Sequence, residues 1–242
     1  MEINRISLFE IDSTNNYASN LMKSETLPHG TVITAQFQTK GRGQRENSWE
    51  GSSHQNLAAT WVFHFDHLKV ANGFIYNQAI ALALRQSIHD WINQEVFIKW
   101  PNDIIVNDKK IAGILIENYI LGDDIKSSLC GIGVNIFQTQ FSFPQATSLM
   151  LAGSDIASTD SFLETLHENL LEKLEELKLH PSLIREQYLL HLYRAKDLIA
   201  LKHNEQVTRG YIQGVDEWGR LIFSIENSIH LFQSGEVQWI WE

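Results

Sequence analysis

The chain has one cysteine, Cys130, and four prolines in 242 residues. A single thiol excludes an internal disulfide framework and fits a reducing cytoplasm. Long apolar runs are missing too. Residues 79–84 (AIALAL) and 111–116 (IAGILI) are far shorter than the ~20 residues of a bilayer-spanning helix, so no membrane partner is expected. The first residues, MEINRISLFEIDST, carry acids where a secretory signal has a basic and then an apolar segment, so they belong to the fold. Positive charge is scarce, with 19 basic against 29 acidic residues and a net charge of −10. No basic stripe runs along the chain to neutralise a phosphate backbone, so a nucleic-acid partner is not expected. Familiar nucleotide signatures also fail. GRGQRE sets Glu46 where a dinucleotide fingerprint needs its third glycine, GIGVNI departs from it similarly, and no glycine-rich loop ends in Gly-Lys-Ser/Thr.

What is present reads as alternating strands and a few helices. Residues 6–11, 30–37 and 57–65 are strand-like, and 71–92 is a helix with apolar residues on more than one face. Ser13 or Thr14 offers an N-cap for a short helix before it. Residues 96–120 give a strand, a break at Pro101, a second strand, a tight turn at Asn107-Asp108 and a longer strand. Another strand spans 127–137, and helices cover 159–180 and the segment after Pro181. From about residue 196 short alternating strands take over, enough for a five-strand barrel. The expected class is therefore α+β, a mainly antiparallel sheet with helices on one face. Residues 1–195 would form one domain and 196–242 a small β-barrel domain.

Four segments have the make-up of functional loops. In QTKGRGQRENSW (38–49), Gly41 and Gly43 free the backbone to turn its amides toward an anion and Arg42 adds charge; a solvated surface loop is the alternative. KWPND (99–103) clusters Lys99, Asn102 and Asp103 at a strand end, unless it is an ordinary Asx turn. In KKIAGILIE (109–117), strand alternation puts Lys110, Ala112 and Ile114 on one face and Ile111, Gly113 and Leu115 on the other. Gly113 weakens the strand unless something approaches it closely. GIGVNI (131–136) invites the same reading, with Asn135 able to pair with a heterocycle.

In this order the segments resemble the catalytic core of biotin protein ligases. The matching residues are Ser13-Thr14-Asn15, Gly41 to Trp49, Lys99 to Asp103, Lys110 to Glu117, and Gly131 to Asn135. The resemblance covers nearly the whole chain. It implies a fold like that of class II aminoacyl-tRNA synthetases with a C-terminal SH3-like domain. It further implies an ATP-dependent reaction through biotinyl-5′-AMP. Its partner would be a biotin carboxyl carrier protein of a biotin-dependent carboxylase, and the enzyme would be cytoplasmic, with a homodimer possible. Magnesium would come with ATP and not from a protein metal site. By resemblance, Ser13, Thr14 and Gln38 contact the biotin ureido ring, with Gly41, Arg42, Gly113 and Gly131 completing the biotin site. Lys110 and Arg42 supply cations at the reacting carboxylate and phosphate, and Asp103 helps deprotonate the carrier lysine. Gln44, Trp49, Asn102, Lys110, Gly133 and Asn135 form the adenylate site, Trp49 by stacking on adenine and Asn135 by reading it. Gly113, Gly131 and Gly133 would leave room for ligand. Gln44 and Glu46 replace a frequent arginine and glycine of the family, which implies weaker retention of the adenylate. The loop is expected to be disordered before ligand arrives. The Ser-Thr-Asn segment starts at residue 13, which implies a monofunctional member without an N-terminal DNA-binding domain. The alternatives are a lipoate–protein ligase or octanoyltransferase relative, and a non-catalytic biotin-binding regulator.

Other residues are given structural readings. HFDH (64–67) is expected to be strand-end histidines, Cys130 a buried small residue, and the six aromatics from Tyr211 to Trp241 the core of the small barrel.

Overall fold

The structure, a computed structural model, describes residues 3–45, 47–226 and 228–240. Glu46 and Trp241 lie outside the described residues. A seven-stranded sheet carries the first part of the chain. Its strands are β1 (Arg5–Ile11), β2 (Thr31–Gln38), β3 (Asn56–Lys69), β4 (Val96–Lys99), β5 (Asp103–Val106), β6 (Lys109–Leu121) and β7 (Asp124–Asn135), in the order β1-β2-β3-β7-β6-β5-β4. All neighbours are antiparallel except β1 and β2, which run parallel. That pair can be parallel because α1 (Thr14–Leu21) forms the crossover between them. The Asn107-Asp108 turn is as expected, with both residues at positive φ, 49° and 58°.

Helices lie on both faces of this sheet, which corrects the one-face expectation. On one face α2 (Gly73–His89) packs beneath α3 (Thr159–Leu179) and α4 (Pro181–Leu190), over Trp61, Phe63, Cys130 and Val134. On the other, Ala18 of α1 buries against Ile33, Val62 and Leu129. The period-2 alternation of β3 and β7 supplies both sets. Cys130 is fully buried in β7, as read from the sequence. The His64 ring bonds to Leu27 O at 2.7 Å, and β3 continues past it to Lys69.

A second, five-stranded antiparallel sheet follows, made of β8 (Leu198–His203), β9 (Gln206–Val215), β10 (Leu221–Ile225), β11 (Ser228–Phe232) and β12 (Gln238–Trp239). Among the described residues of the expected aromatic core, Phe223 and Phe232 are buried there. Tyr211 and Trp218 are exposed and Trp239 turns toward the first sheet, because a five-stranded sheet this small covers few large rings. The buried residues on the α2 face of the large sheet and those of the small sheet form one contiguous cluster. Trp100 fixes the joint by donating Nε1–H to Gly219 O at 2.9 Å. Among the described residues no helix is long and apolar enough to cross a membrane.

Candidate active site

The α1 face of the large sheet carries a cleft of about 470 Å³, closed at one side by the 234–239 segment of the small sheet. Strand alternation sets its floor. Thr60 of β3, Gly131 and Gly133 of β7, and Gly113, Leu115 and Glu117 of β6 all point to this side.

Lys110 reaches the same side against simple alternation. The pairing runs Ile105↔Lys110 and then Ile104↔Ala112, so Ile111 is an extra residue and β6 carries a bulge. Ile111 and Ala112 are both buried, and Lys110 is turned to the face of Gly113. This corrects the face assignment made from the sequence. The bulge brings Lys110 Nζ to 2.6 Å from Asp103 Oδ1, while Lys99 Nζ lies 3.6 Å from Oδ2. One carboxylate thus sits between two ammonium groups. Lys99 is nine-tenths buried, and burial holds its pKa below the ordinary lysine value. Asp103 opposes that shift and Lys110 adds to it. Lys99 also lies 5.1 Å from the Trp239 ring centre. Neither Lys99 nor Trp239 was assigned a role from the sequence. Lys99 was visible in its motif, whereas Trp239 arrives only through docking of the small sheet.

The described residues of the glycine-rich loop fold back on themselves as a hairpin. Trp49 N–H donates to Gly41 O at 2.9 Å, Gly43 N–H to Asn47 O at 2.8 Å, and Arg42 bridges Ser48. Gly41 does not line the cleft. A Cβ there would stand 2.7 Å from Trp49 O, so its bareness lets the hairpin close. The loop folds Trp49 down onto the sheet. A Cβ on Gly133 would stand 2.4 Å from the indole, and one on Gly131 would stand 2.3 Å from Asn15 Oδ1. The space above those two glycines is therefore filled by Trp49 and Asn15, which corrects the expectation that it is left for ligand. Gly113 likewise faces Trp49 and Lys110. Lys110 Nζ is 5.5 Å from the Trp49 ring centre.

Arg42 points into the cleft but is not alone. Its Nη2 pairs with Glu117 Oε1 at 2.7 Å and its Nη1 donates to Asn16 Oδ1 at 2.6 Å. Gln44 Oε1 accepts from Ser234 Oγ at 3.1 Å, and Arg45 donates to the carbonyls of Ser234 and Gly235. Arg45 is thus tied to the small sheet. At the other end, Ser13 and Thr14 are buried at the start of α1, and Gln38 Oε1 accepts from Thr14 N–H at 2.8 Å. Ser13 occupies the N-cap position, yet its side chain makes no cap bond. Asn102 borders the cleft and donates to Ile114 O at 2.7 Å.

Asn135 is not brought to the cleft lining. It is buried at the end of β7 and donates to Thr147 O at 2.9 Å, while its Oδ1 has no hydrogen-bond partner among the described residues. A residue at a strand end can turn either way, and here the backbone carbonyl of the following loop takes its amide. Among the described residues no group of three His, Cys, Asp or Glu side chains is placed to hold a metal ion.

The architecture is that of solved biotin protein ligases. The enzyme from Aquifex aeolicus in complex with biotin and ATP superposes with a TM-score of 0.77 at 24% identity, over 97% of each chain. Residues 9–135 match the Biotin/lipoate A/B protein ligase family, and the chain belongs to that family. It is 26% identical over 228 residues to the biotin–[acetyl-CoA-carboxylase] ligase of Paracoccus denitrificans, covering 89% of this chain and 92% of that protein. Identity is also 26% over 240 residues to the bifunctional ligase/repressor BirA of Bacillus spizizenii, covering 94% of this chain and 71% of the relative.

Proposed function

We propose that this chain is an ATP-dependent biotin protein ligase that biotinylates a lysine of a biotin carboxyl carrier domain through biotinyl-5′-AMP. The observation that carries the reading is Asp103 held between Lys99 and Lys110 on the floor of a cleft that also contains Ser13, Thr14 and Gln38. Two anions must meet in the first step, and fixed cations lower the cost of that approach. A carboxylate oxygen of biotin attacks the α-phosphorus of ATP, and the bond to the bridging oxygen breaks to release pyrophosphate. Magnesium enters with the triphosphate as part of the substrate.

Lys110 is paired with Asp103. A carboxylate and phosphate bound beside Lys110 compete for its ammonium and release Asp103. The carboxylate then becomes available when it is needed, to take a proton from the carrier lysine. That amine attacks the carbonyl carbon of the mixed anhydride and AMP leaves. Ser13, Thr14 and Gln38 offer the donors and acceptors that a ureido ring requires. Trp49 serves adenine as a stacking surface.

The test is pyrophosphate exchange into ATP. Exchange that requires biotin and is not supported by lipoate is expected, followed by label transfer to a carrier domain. Exchange driven by lipoate instead would overturn the substrate assignment, and none with either acid would overturn the activity.

A further inference from the structure

A line of short polar contacts runs under the cleft from Gln38 to Arg42. Gln38 Oε1 is 3.1 Å from Thr14 Oγ1. Thr60 Oγ1 lies 2.8 Å from Thr14 Oγ1 and 2.6 Å from Asn15 Oδ1. Asn15 Nδ2 donates to Glu117 Oε2 at 2.7 Å. Glu117 then grips Arg42 with both oxygens, at 2.7 Å and 3.4 Å. Thr14, Asn15 and Thr60 are buried, so water does not compete within the line. The Asn15 amide has one consistent orientation. Its Nδ2 faces two acceptors, Leu115 O and the Glu117 carboxylate, which leaves Oδ1 for Thr60. Gly131 has no Cβ to displace it.

Counting protons exposes a gap. The hydroxyls of Thr14 and Thr60 have two protons for three oxygen–oxygen contacts: Thr14 to Gln38, Thr14 to Thr60, and Thr60 to Asn15. One contact is always without a proton. A ligand N–H that donates to Gln38 Oε1 replaces the Thr14 hydroxyl there. Thr14 is then committed to donating to Thr60 while Thr60 donates to Asn15, and the contact left without a proton is the longest, Thr14 to Gln38, whose Oε1 is held by the ligand and by Thr14 N–H. Bonds that all run in one direction polarise and strengthen one another.

We propose that Asn15 and Glu117 are positioning residues that transmit occupancy of the pocket at Thr14 and Gln38 to the guanidinium of Arg42. This rests on reading that pocket as the site of the biotin ureido ring, whose N–H groups are the required donors. Filling it strengthens the Asn15 hold on Glu117, and Glu117 sets where the Arg42 charge stands over the reacting carboxylate. Linkage makes the effect reciprocal, so weakening the Glu117 end lowers affinity for biotin.

A double-mutant cycle on biotin affinity, measured by titration calorimetry, tests it. Thr60→Val removes one hydroxyl at nearly constant volume, and Glu117→Gln weakens the grip on Arg42. Independent sites give effects that multiply, whereas members of one network do not. Thr60→Val is expected to weaken biotin binding by about tenfold in the parent protein but by no more than about threefold in the Glu117→Gln background. Equal factors in the two backgrounds would overturn the relay. Thr60→Ser keeps the hydroxyl and should restore parent affinity. A loss as large as that of valine would mean that packing, not the proton line, is at work. Should Thr60→Val fail to fold, Asn15→Ala replaces it in the same cycle with the same two outcomes. A parent protein that takes up no biotin would refute the substrate reading itself, a different result from a cycle without coupling.

Discussion

Asp103 and Lys110 neutralise each other at 2.6 Å, and this pairing separates the two halves of the reaction. Replacing Lys110 with alanine removes the cation proposed to meet the reacting anions. Biotin-dependent pyrophosphate exchange is expected to fall by roughly 10²–10³-fold, the usual effect of losing one preorganised charge. A folded Lys110→Ala protein with the parent exchange rate would exclude it from the adenylation step. Asp103→Asn should act differently. The amide still occupies the space between Lys99 and Lys110, so adenylate still forms, but no base remains for the carrier amine. Transfer is expected to be slow near neutral pH and to recover as pH approaches the free lysine value of about 10.4. Single-turnover transfer from preformed adenylate, followed across pH, separates the steps. A deficit of the same size in both steps at all pH values would remove the base role.

At the scale of elements, much of the fold and part of the cleft are legible in the sequence. Strand-forming runs, the Pro101 break and the Asn107-Asp108 turn mark β4, β5 and β6 because each has a local cause in backbone preference. The β6 bulge has no such cause. It arises from pairing with β5, and it reverses the face on which Lys110 would stand by alternation. Glycines announced close approach correctly but not what approaches. At Gly133 it is Trp49 from the loop, which only the folded chain brings there. That contact can be tested. An alanine Cβ at 133 would stand 2.4 Å from the indole and must lift Trp49 from the sheet. Gly133→Ala is expected to speed release of labelled biotinyl-AMP on the order of tenfold, about the effect of one lost base–aromatic stack. Gly113→Ala, whose Cβ would stand 3.1 Å from the indole, should have a smaller effect. Parent release rates in Gly133→Ala would place the adenine away from Trp49.

The whole molecule depends on how α3 seats against the sheet, and one buried pair makes that seating sensitive to acid. Trp61 of β3 donates Nε1–H to His167 Nδ1 of α3 at 3.1 Å, and both side chains are buried. A ring that accepts at Nδ1 is neutral, with its proton on Nε2. Protonating Nδ1 would remove the acceptor and set a cation against the indole N–H. Burial accordingly holds the His167 pKa below the ordinary histidine value. His29, which accepts from His64 N–H at 3.1 Å, is lowered in the same direction by partial desolvation although it is exposed to solvent, and His191 by burial and Arg85. A base whose pKa is lower in the folded state takes up its proton first in the unfolded chain. Stability from these rings is therefore complete above the unfolded value near ~6.5 and declines as pH falls below it toward the folded values. A buried ring such as His167 contributes at most about 1.4 kcal/mol per pH unit in that window, and the exposed His29 contributes less because solvent screens it. Urea unfolding measured from pH 8 to pH 5 should show a plateau and then this decline. His167→Asn supplies an uncharged acceptor near the position of Nδ1, so Trp61 keeps its bond while one titrating group is lost. The decline should become shallower by the contribution of one ring, whatever the variant loses in packing at neutral pH. If the variant and the parent share the same slope between pH 6.5 and 5, His167 is not among the groups that unfolding protonates, and the acid sensitivity lies with His29 and His191.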